Sequence, residues 1–198
     1  ILGGAAAPAV CQSTLIVAPT AKTTGAGRFS LSYLSRGQGF GMTGQDRTAR
    51  LRLGIGPRIE LDTNLDLREG TSTGWFWNGK YNFLTSADGD TLVAVGFRSL
   101  GPHTSSSQYL ALTHKIAPVQ LHAGIRFTPD ESSTFAGADV LIGKVRVMAD
   151  YEDVRAGRAG LGAEIYPSEH LSMKGGVILE RNDRTRFTIE IKYNGRYD

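Results

Sequence analysis

The sequence has few of the residues and patterns on which several common protein classes depend. It contains one cysteine, Cys11, so an internal disulfide framework is excluded. No apolar run reaches the roughly 18 residues of a helical membrane span, so that kind of span is excluded as well. Lys and Arg are interleaved with Asp and Glu, so the net charge of +3 forms no basic block. A nucleic-acid partner is therefore not expected.

Helical periodicity is nearly absent, and a period of two residues takes its place. Apolar and polar residues alternate in segments that recur about every 10–15 residues, which is the pattern of short β-strands. The 25 glycines and the hydrophobic fraction of 40% suit apolar side chains spread along strands. Twelve strands are predicted: 27–36, 47–54, 58–68, 74–84, 91–99, 107–115, 118–128, 133–142, 144–153, 158–166, 170–180 and 184–194.

The alternation gives each predicted strand one apolar face and one charged face. In the third strand, Ile59 and Leu61 share one face, whereas Glu60 and Asp62 share the other. The pattern alone does not say which face meets water. A soluble β-barrel or sandwich that binds an apolar ligand would alternate in the same way, with its apolar face inward.

Three features favour the inverted arrangement, a closed antiparallel up-and-down transmembrane β-barrel of about 12 strands. The strands have the roughly 9–11 residues that a tilted strand needs to cross a bilayer. No helix is predicted that could cover a sheet edge, and in lipid only a closed barrel leaves no unpaired edge. The apolar faces also carry aromatic residues near the strand ends, as lipid-interface girdles do. These predicted interface aromatics are Tyr33, Trp75, Trp77, Phe83, Phe97, Phe127, Tyr151, Phe187 and Tyr193.

The connections between strands are predicted to alternate in length. Those on one side are mostly longer and rich in Gly, Ser, Thr or charge: 37–46, 69–73, 100–106, 129–132, 154–157 and 181–183. Those on the other side are mostly shorter: 55–57, 85–90, 116–117, Gly143 and 167–169. Long loops on one side and tight turns on the other are typical of outer-membrane barrels. An even strand number then places both termini on the short-turn side, the periplasm.

The charged faces would line the lumen of such a barrel. The predicted lumen charges are Arg50, Arg52, Glu60, Asp62, Asp66, Lys80, Arg98, Arg126, Arg146, Asp150, Glu164, Lys174, Glu180, Glu190 and Lys192. Buried charges are costly unless they are paired or hydrated, which leaves two outcomes. Opposite charges could interlock into a network that blocks a narrow pore, or water could fill the lumen and the charges would select solutes.

The N-terminal part of the chain is predicted to be separate from the barrel. Residues 1–22 are assigned to a leader and residues 23–198 to a single barrel domain. Ile1–Ala9 is small and apolar, and Ala7-Pro8-Ala9 has the form of a signal-peptidase site, so this stretch is either a signal-peptide remnant or an ordinary terminus. Thr14–Ala18 is either an extra strand or a leader packed inside the barrel.

Catalytic, metal and cofactor patterns are weak. His103 precedes Ser105 and Ser106 in a predicted loop, but no G-x-S-x-G elbow is present, so no catalytic residue is assigned. No two histidines have ligand spacing, so no metal site is predicted. Gly54-Ile55-Gly56-Pro57 lacks the third glycine of a dinucleotide fingerprint and indicates a turn, so no cofactor is expected.

Two stretches resemble a known group of proteins. Leu15–Leu31 (LIVAPTAKTTGAGRFSL) and Gly54–Leu61 (GIGPRIEL) resemble the strand pattern of bacterial outer-membrane β-barrels, including YjbH-like barrels associated with exopolysaccharide. The resemblance implies an envelope role near polysaccharide export and transfers no catalytic residue. The chain ends Arg196-Tyr197-Asp198, whereas such barrels typically finish with an aromatic residue.

The sequence therefore predicts an outer-membrane barrel that does not catalyse a reaction. Its expected role is either a small porin-like channel for hydrophilic solutes or an accessory to envelope polysaccharide export. Its expected partners are outer-membrane lipid and either small hydrophilic solutes or the exopolysaccharide machinery; the oligomeric state is left open. The soluble apolar-ligand binder and an outer-membrane lipid hydrolase are the alternatives.

Overall fold

The computed structural model describes residues 14–38, 43–67, 74–101, 105–153, 157–181 and 185–197. Its strands form one closed barrel in which every strand pairs with its neighbours in the chain and the last pairs with the first. All of these pairings are antiparallel. The predicted closed, up-and-down, 12-stranded barrel is confirmed. Among the described residues, no helix is long and apolar enough to cross a membrane.

The strand bounds follow the predicted ones closely. The strands are β1 (Arg28–Gln38), β2 (Thr43–Gly54), β3 (Ile59–Asp66), β4 (Trp75–Thr85), β5 (Thr91–Leu100), β6 (Ser107–Ile116), β7 (Val119–Phe127), β8 (Ser132–Ile142), β9 (Val145–Asp153), β10 (Arg158–Ile165), β11 (Leu171–Glu180) and β12 (Thr185–Arg196). Most ends lie within two residues of the prediction, because the period-two pattern stops where the turn residues begin.

The apolar faces of the strands point outward. In β9, Arg146, Met148 and Asp150 are buried, whereas Val147 and Tyr151 are 41% and 49% exposed. The same alternation recurs around the barrel, and large exposed apolar residues occur on all of its strands. This orientation is opposite to that of a soluble sandwich, in which the apolar faces meet each other.

The loop between β1 and β2 is shorter than predicted. The sequence assigned 37–46 to this loop because of its glycines, yet Gly37 and Gln38 belong to β1, and β2 begins at Thr43. Gln38 pairs with Thr43, so the two strands continue almost to the tip. Glycine lowers strand propensity, but Gly37 pairs with Phe187 of β12 and lies where the register toward β2 shifts, an irregularity that glycine accommodates.

The predicted contrast in loop length is small. The connections on the loop side are 39–42, 67–74, 101–106, 128–131, 154–157 and 181–184, and those on the turn side are 55–58, 86–90, 117–118, 143–144 and 166–170. Only 67–74 and 101–106 are longer than the longest connections on the turn side. Both termini of the barrel domain lie on the turn side, as the even strand number requires.

Candidate functional site: the barrel interior

The structure places the fifteen predicted lumen charges on the inner wall or at its rim. Four of them are half-buried: Arg50, Asp66, Arg98 and Glu180. The other eleven are at least nine-tenths buried: Arg52, Glu60, Asp62, Lys80, Arg126, Arg146, Asp150, Glu164, Lys174, Glu190 and Lys192. Charges buried to this degree need partners, and the contacts below supply them.

One network of charges lies on the wall formed by β2, β3 and β4. Arg52 Nη2 donates to Asp62 Oδ2 at 3.0 Å, and Arg52 Nε lies 3.5 Å from Glu60 Oε1. Lys80 Nζ lies 3.7 Å from the same Glu60 oxygen. Arg50 extends the network toward β12, because its Nη1 lies 3.4 Å from Glu190 Oε1.

A second network lies on the opposite wall, from β8 to β12. Arg146 donates two hydrogen bonds to the Asp139 carboxylate, from Nε at 3.0 Å and from Nη2 at 3.1 Å. Its Nη1 lies 3.6 Å from Glu164 Oε2. Glu164 also accepts hydrogen bonds from Lys192 Nζ at 3.0 Å and from the Tyr166 hydroxyl at 2.8 Å. Arg146 is only 1% exposed, so this network is sealed from bulk water.

Residues 14–24 lie inside the barrel and are called the plug segment below. The sequence left Thr14–Ala18 open between an extra strand and a leader packed inside, and the structure has it packed inside. Leu15, Ala18 and Ala21 are fully buried. The plug segment is not a strand of the barrel; its one β-bridge joins Thr14 to Pro19 within the segment itself.

Charged wall residues bind the backbone of the plug segment. Asp150 Oδ2 accepts hydrogen bonds from the amides of Val17 and Ala18, both at 2.7 Å. Lys174 Nζ donates to the Leu15 carbonyl at 3.3 Å, and Arg98 Nη1 donates to the Val17 carbonyl at 3.3 Å. The backbone groups of the barrel strands are hydrogen-bonded to one another, whereas those of the plug segment have no sheet partner. The charged side chains of the wall supply the partners that the segment needs.

The other end of the plug segment is bound in the same way. Glu60 Oε2 accepts from the Thr24 amide at 2.7 Å and from its hydroxyl at 2.8 Å. Lys80 Nζ donates to the Lys22 carbonyl at 2.7 Å, and Thr113 Oγ1 accepts from the Ala21 amide at 3.0 Å. The segment thus crosses the interior from β3 to the wall around β9.

Glycines on the inner wall make room for the apolar side chains of the plug segment. A Cβ atom at Gly160 would lie 2.8 Å from Ile16 Cβ, and one at Gly162 would lie 2.5 Å from Ile16 Cδ1. Gly176, which pairs with Gly162 across the sheet, would also meet Ile16 Cδ1, at 2.8 Å. Ile16 therefore occupies a recess that only glycine leaves open, close to the apolar Met148 and Ile178.

The plug segment joins the barrel at a glycine turn. Gly27 has a φ of +67°, a conformation that residues with a Cβ rarely adopt. Its amide donates to the Gly54 carbonyl at 3.1 Å. Any Cβ at Gly54 would collide with the carbonyl oxygens of Thr24 and Gly25. The chain can therefore turn from the barrel wall into the interior only where these residues are small.

A small cleft remains beside the plug segment. Its cavity volume is about 30 Å³, close to that of one water molecule. Its wall is mostly charged, and it is lined by Thr14, Pro19, Arg50, Arg52, Glu60, Asp62, Asn78, Gly79, Lys80, Arg98 and Tyr109. With the plug segment in place, this cleft has room for water.

The predicted interface aromatics lie on the outer surface but are unevenly distributed. Trp75 and Trp77 are 55% and 49% exposed and lie at the loop-side end of β4. Most of the set shares that level, whereas Phe83 and Tyr193 lie toward the turn side and Tyr33 lies mid-strand. Tyr193 packs near Phe29, with ring centroids 6.2 Å apart.

The predicted set of lumen charges omits Asp139 and Glu152, although the alternation of the ninth strand puts Glu152 on the same charged face as Arg146 and Asp150. Asp139 and Glu152 are both at least 97% buried, and both pair with arginines. Asp139 was missed because it shares its face of β8 with the apolar Phe135 and Leu141, so the strand does not alternate clearly. The available signal was parity: Ser133 and Phe135 are buried on the same face.

The histidines that the structure describes do not lie together in one site. His103 lies outside the described residues. His114 is exposed, and its Nδ1 is hydrogen-bonded to Thr91 Oγ1 at 2.9 Å. His122 faces the interior, 2.9 Å from Thr113 Oγ1 and 3.6 Å from Asp139 Oδ1. Among the described residues, no group of three His, Cys, Asp or Glu could hold a metal ion.

The acidic pair in the turn between β4 and β5 stabilises the turn itself. The Asp88 carboxylate accepts from Ser86 Oγ at 2.5 Å and from the Asp90 amide at 3.0 Å. These two hydrogen bonds, that from Ser86 first, hold the pKa of Asp88 below its ordinary value. The Asp88 carboxylate is thus hydrogen-bonded within the turn itself.

Comparisons with solved structures place the barrel among known folds. A KdgM porin matches with a TM-score of 0.65 at 13% identity, over 83% of this chain and 98% of that one. The outer membrane protein Omp33 of Acinetobacter baumannii matches with 0.62 at 12%, over 86% and 98%. The outer membrane phospholipase A of Escherichia coli matches with 0.53 at 11%, over 84% and 89%.

At these identities the likeness concerns the fold. No protein-family model and no curated protein sequence matches the chain. The closed antiparallel barrel of this chain superposes on the first two structures over nearly their whole length. The chain has the fold of the bacterial outer-membrane β-barrel proteins.

Proposed function

We propose that this protein resides in a bacterial outer membrane, with lipid around its outer surface. The support is the outer surface itself, where Leu31, Leu112, Leu161 and Ile189 are 54%, 41%, 61% and 48% exposed on strands spread around the barrel. A soluble monomer rarely exposes an apolar surface that continues around the whole molecule. A bilayer removes that surface from water.

The purified protein is expected to need detergent. Without detergent its apolar belt would be exposed to water, and the barrels would associate through it. Size-exclusion chromatography with light scattering, run with and without detergent micelles, measures this directly. A monodisperse barrel in detergent-free buffer would rule out the membrane location.

Within that membrane, we infer that the barrel is a channel for small hydrophilic solutes and that the plug segment closes it. The carrying observation is that the wall charges Asp150, Lys174, Lys80 and Glu60 bind the backbone of the plug segment. In the part of the chain that the structure describes, the segment continues into β1 through the Gly25–Gly27 turn. Its withdrawal would leave a passage lined by charges and water, as in porins.

The chemistry of that wall suits hydrophilic solutes. One similar structure is a KdgM porin in complex with disordered oligogalacturonate, a hydrophilic sugar chain, and it matches with a TM-score of 0.66 at 13% identity. A lumen lined by charges favours hydrated or charged solutes over apolar ones. This combination supports hydrophilic solutes as the class that the channel passes.

Conductance of the variant Gly160→Ala tests the plug. The new methyl group would meet Ile16 and Asp150 Oδ1, the two groups that seat the segment. Overpacking of this kind costs about 1–3 kcal/mol. If that cost falls on the plugged state, the released state becomes about 5- to 150-fold more populated. Planar-bilayer recordings are expected to show a correspondingly larger mean current than the unaltered protein.

Gly175→Ala is the matched control. Gly175 lies on β11 and is exposed, and the nearest atom to its new methyl group is the Thr188 carbonyl oxygen, 4.0 Å away. Its current should equal that of the unaltered chain. Equal currents from both variants would show that the plug segment does not limit conductance.

We further infer that the barrel is not an enzyme. Thr113, His122 and Asp139 form a chain of contacts like that of a nucleophile, a base and its orienting acid. However, Thr113 is 2% exposed, and its oxygen accepts a hydrogen bond from the Ala21 amide of the plug segment. A substrate could not reach it there. The porin fold that the chain shares is compatible with this non-catalytic role.

A role as an accessory to envelope polysaccharide export is the second candidate. It rests on the resemblance of Leu15–Leu31 and Gly54–Leu61 to YjbH-like barrels. The two stretches form one contact unit in this structure, since Thr24 binds Glu60 and Gly27 binds Gly54. Together they make the turn by which the plug segment enters the barrel. Pull-down of export components from envelope extracts, with a Gly27→Ala variant as comparison, tests this role.

A further inference from the structure

Five arginines surround the interior at the loop side of the barrel. They are Arg36 on β1, Arg98 on β5, Arg126 on β7, Arg158 on β10 and Arg186 on β12, and each lies within two residues of the loop-side end of its strand. β1 and β7 stand opposite each other in the twelve-stranded order. A solute that moves along the barrel axis must therefore pass between arginines from facing walls. This set is called the arginine ring below.

The arginines are close enough to repel each other. Arg98 and Arg158 oppose the charges of both Arg36 and Arg126, whereas Asp46 favours the charge of Arg36 and Glu152 that of Arg126. Like charges are brought together in this way only where other groups, or a ligand, balance them. Arg186 lies near both Asp46 and Glu180, at 3.5 and 3.7 Å.

The acidic partners do not use all of the hydrogen-bond donors of the arginine ring. Glu152 forms ion pairs with both Arg126 and Arg158, the latter at 3.1 Å. Even so, Arg126 Nε and Nη2 have no hydrogen-bond partner in the part of the chain that the structure describes. The same holds for Nε of Arg36 and Arg158, whereas Nε of Arg186 lies 3.7 Å from Glu180 Oε1, in an ion pair that is too long for a hydrogen bond. Arg126 is 8% exposed, and both of these nitrogen atoms are buried.

Buried guanidinium donors without partners are costly, and an anion would satisfy them. Carboxylate and phosphate oxygens accept paired hydrogen bonds from the planar guanidinium group, which lysine cannot provide. We propose that the arginine ring is a binding site for a soluble anion that carries two or more carboxylate or phosphate groups. This rests on the proposed channel function and names the class of solute that the channel selects.

The arginine ring is also in contact with the plug segment. Arg98 is a member of the arginine ring, and its Nη1 donates a hydrogen bond to the Val17 carbonyl of the plug segment. An anion bound in the ring would compete for this guanidinium group, while Asp150 would still accept from the amides of Val17 and Ala18. The site therefore adjoins the plug segment.

Equilibrium binding to the full chain in zwitterionic detergent micelles tests the site. The probes are a linear triuronate and inorganic tripolyphosphate, with an uncharged trisaccharide as the neutral control. We expect saturable binding of at least one anion, weakening as salt is added, and no binding of the neutral sugar. The two anions separate a carboxylated sugar chain from a phosphate ligand. Absence of saturable binding by both anions would overturn the proposal.

Substitutions locate the site. Arg126→Gln and Arg36→Gln each remove donors of the ring and should weaken binding about tenfold. Arg58→Gln removes the same charge from an exposed turn at the opposite end and should leave binding within about twofold, the range of a remote, screened charge. Equal loss in all three variants would show non-specific attraction and overturn the site. If Arg126→Gln fails to fold, Arg36→Gln decides.

The anion-binding proposal and the channel proposal can be contradicted independently of each other. The binding measurement does not depend on a current, so a barrel that binds the triuronate but never conducts would lose the channel proposal and keep the arginine ring. A barrel that conducts but binds neither anion would lose the ring and keep the channel.

Discussion

Replacing Arg146 with methionine is expected to lower the free energy of unfolding by about 3–5 kcal/mol. The guanidinium group is 1% exposed and makes two hydrogen bonds to Asp139. Methionine fills a similar space but leaves the Asp139 carboxylate, 3% exposed, without its main partner. Urea unfolding of the barrel in detergent micelles, followed by tryptophan fluorescence, measures the loss.

The double variant Arg146→Met with Asp139→Leu is the control. It removes both charges of the pair, and a buried ion pair replaced by apolar residues often costs little stability. The double variant should therefore be more stable than the single one, which measures the coupling between the two residues. A single variant that loses less than about 1 kcal/mol, the worth of a surface ion pair, would mean that water hydrates Asp139.

The strands could be predicted from the sequence because their two faces differ so strongly. In β3 and β9 one face is mostly charged or polar and the other mostly apolar, with Thr63, Met148 and Asp153 as the exceptions. Such a pattern is compatible with a strand and with no other regular structure. The orientation of the faces followed from closure and from the lack of helices, which leaves lipid as the only cover for a continuous apolar surface.

The interior contacts were harder to predict from the sequence than the strands, although the contact between Asp139 and Arg146 could have been derived from a turn. The two-residue connection 143–144 sets Ile142 opposite Val145, and therefore Asp139 opposite Met148. Asp139 and Arg146 are then diagonal neighbours on the same face, within reach of each other. The sequence prediction assigned Arg146 to the lumen but never fixed this register, and so it missed its partner.

The plug segment could not be assigned from its own residues. Thr14–Ala18 is apolar without alternation, and its main acceptor, Asp150, lies more than 130 residues away in the chain. The signal was in the wall instead. Gly162 and Gly176 lie within predicted strands, where glycine is unfavourable, and the structure shows that they make room for Ile16.

Replacing Leu112 with arginine is expected to lower the stability of the barrel in a bilayer by about 2–4 kcal/mol. Leu112 lies in the middle of β6, is 41% exposed and points away from the interior. If lipid surrounds this surface, the guanidinium group must enter the hydrocarbon region, where it cannot be hydrated. Unfolding by denaturant from phosphatidylcholine vesicles, with the unaltered protein as reference, measures the change.

Ile116→Arg, at the end of the same strand, separates the effect of depth from that of substitution. Ile116 is 56% exposed and lies beside the turn 117–118. Its arginine can reach the interface, so the loss should be only about 0–1 kcal/mol. Leu112 and Ile116 are similar in size, and both are exposed on the same β-strand. A soluble barrel would therefore tolerate arginine equally at each position. A difference of about 2 kcal/mol or more between the two variants can arise only if the middle of β6 lies in lipid and its end does not.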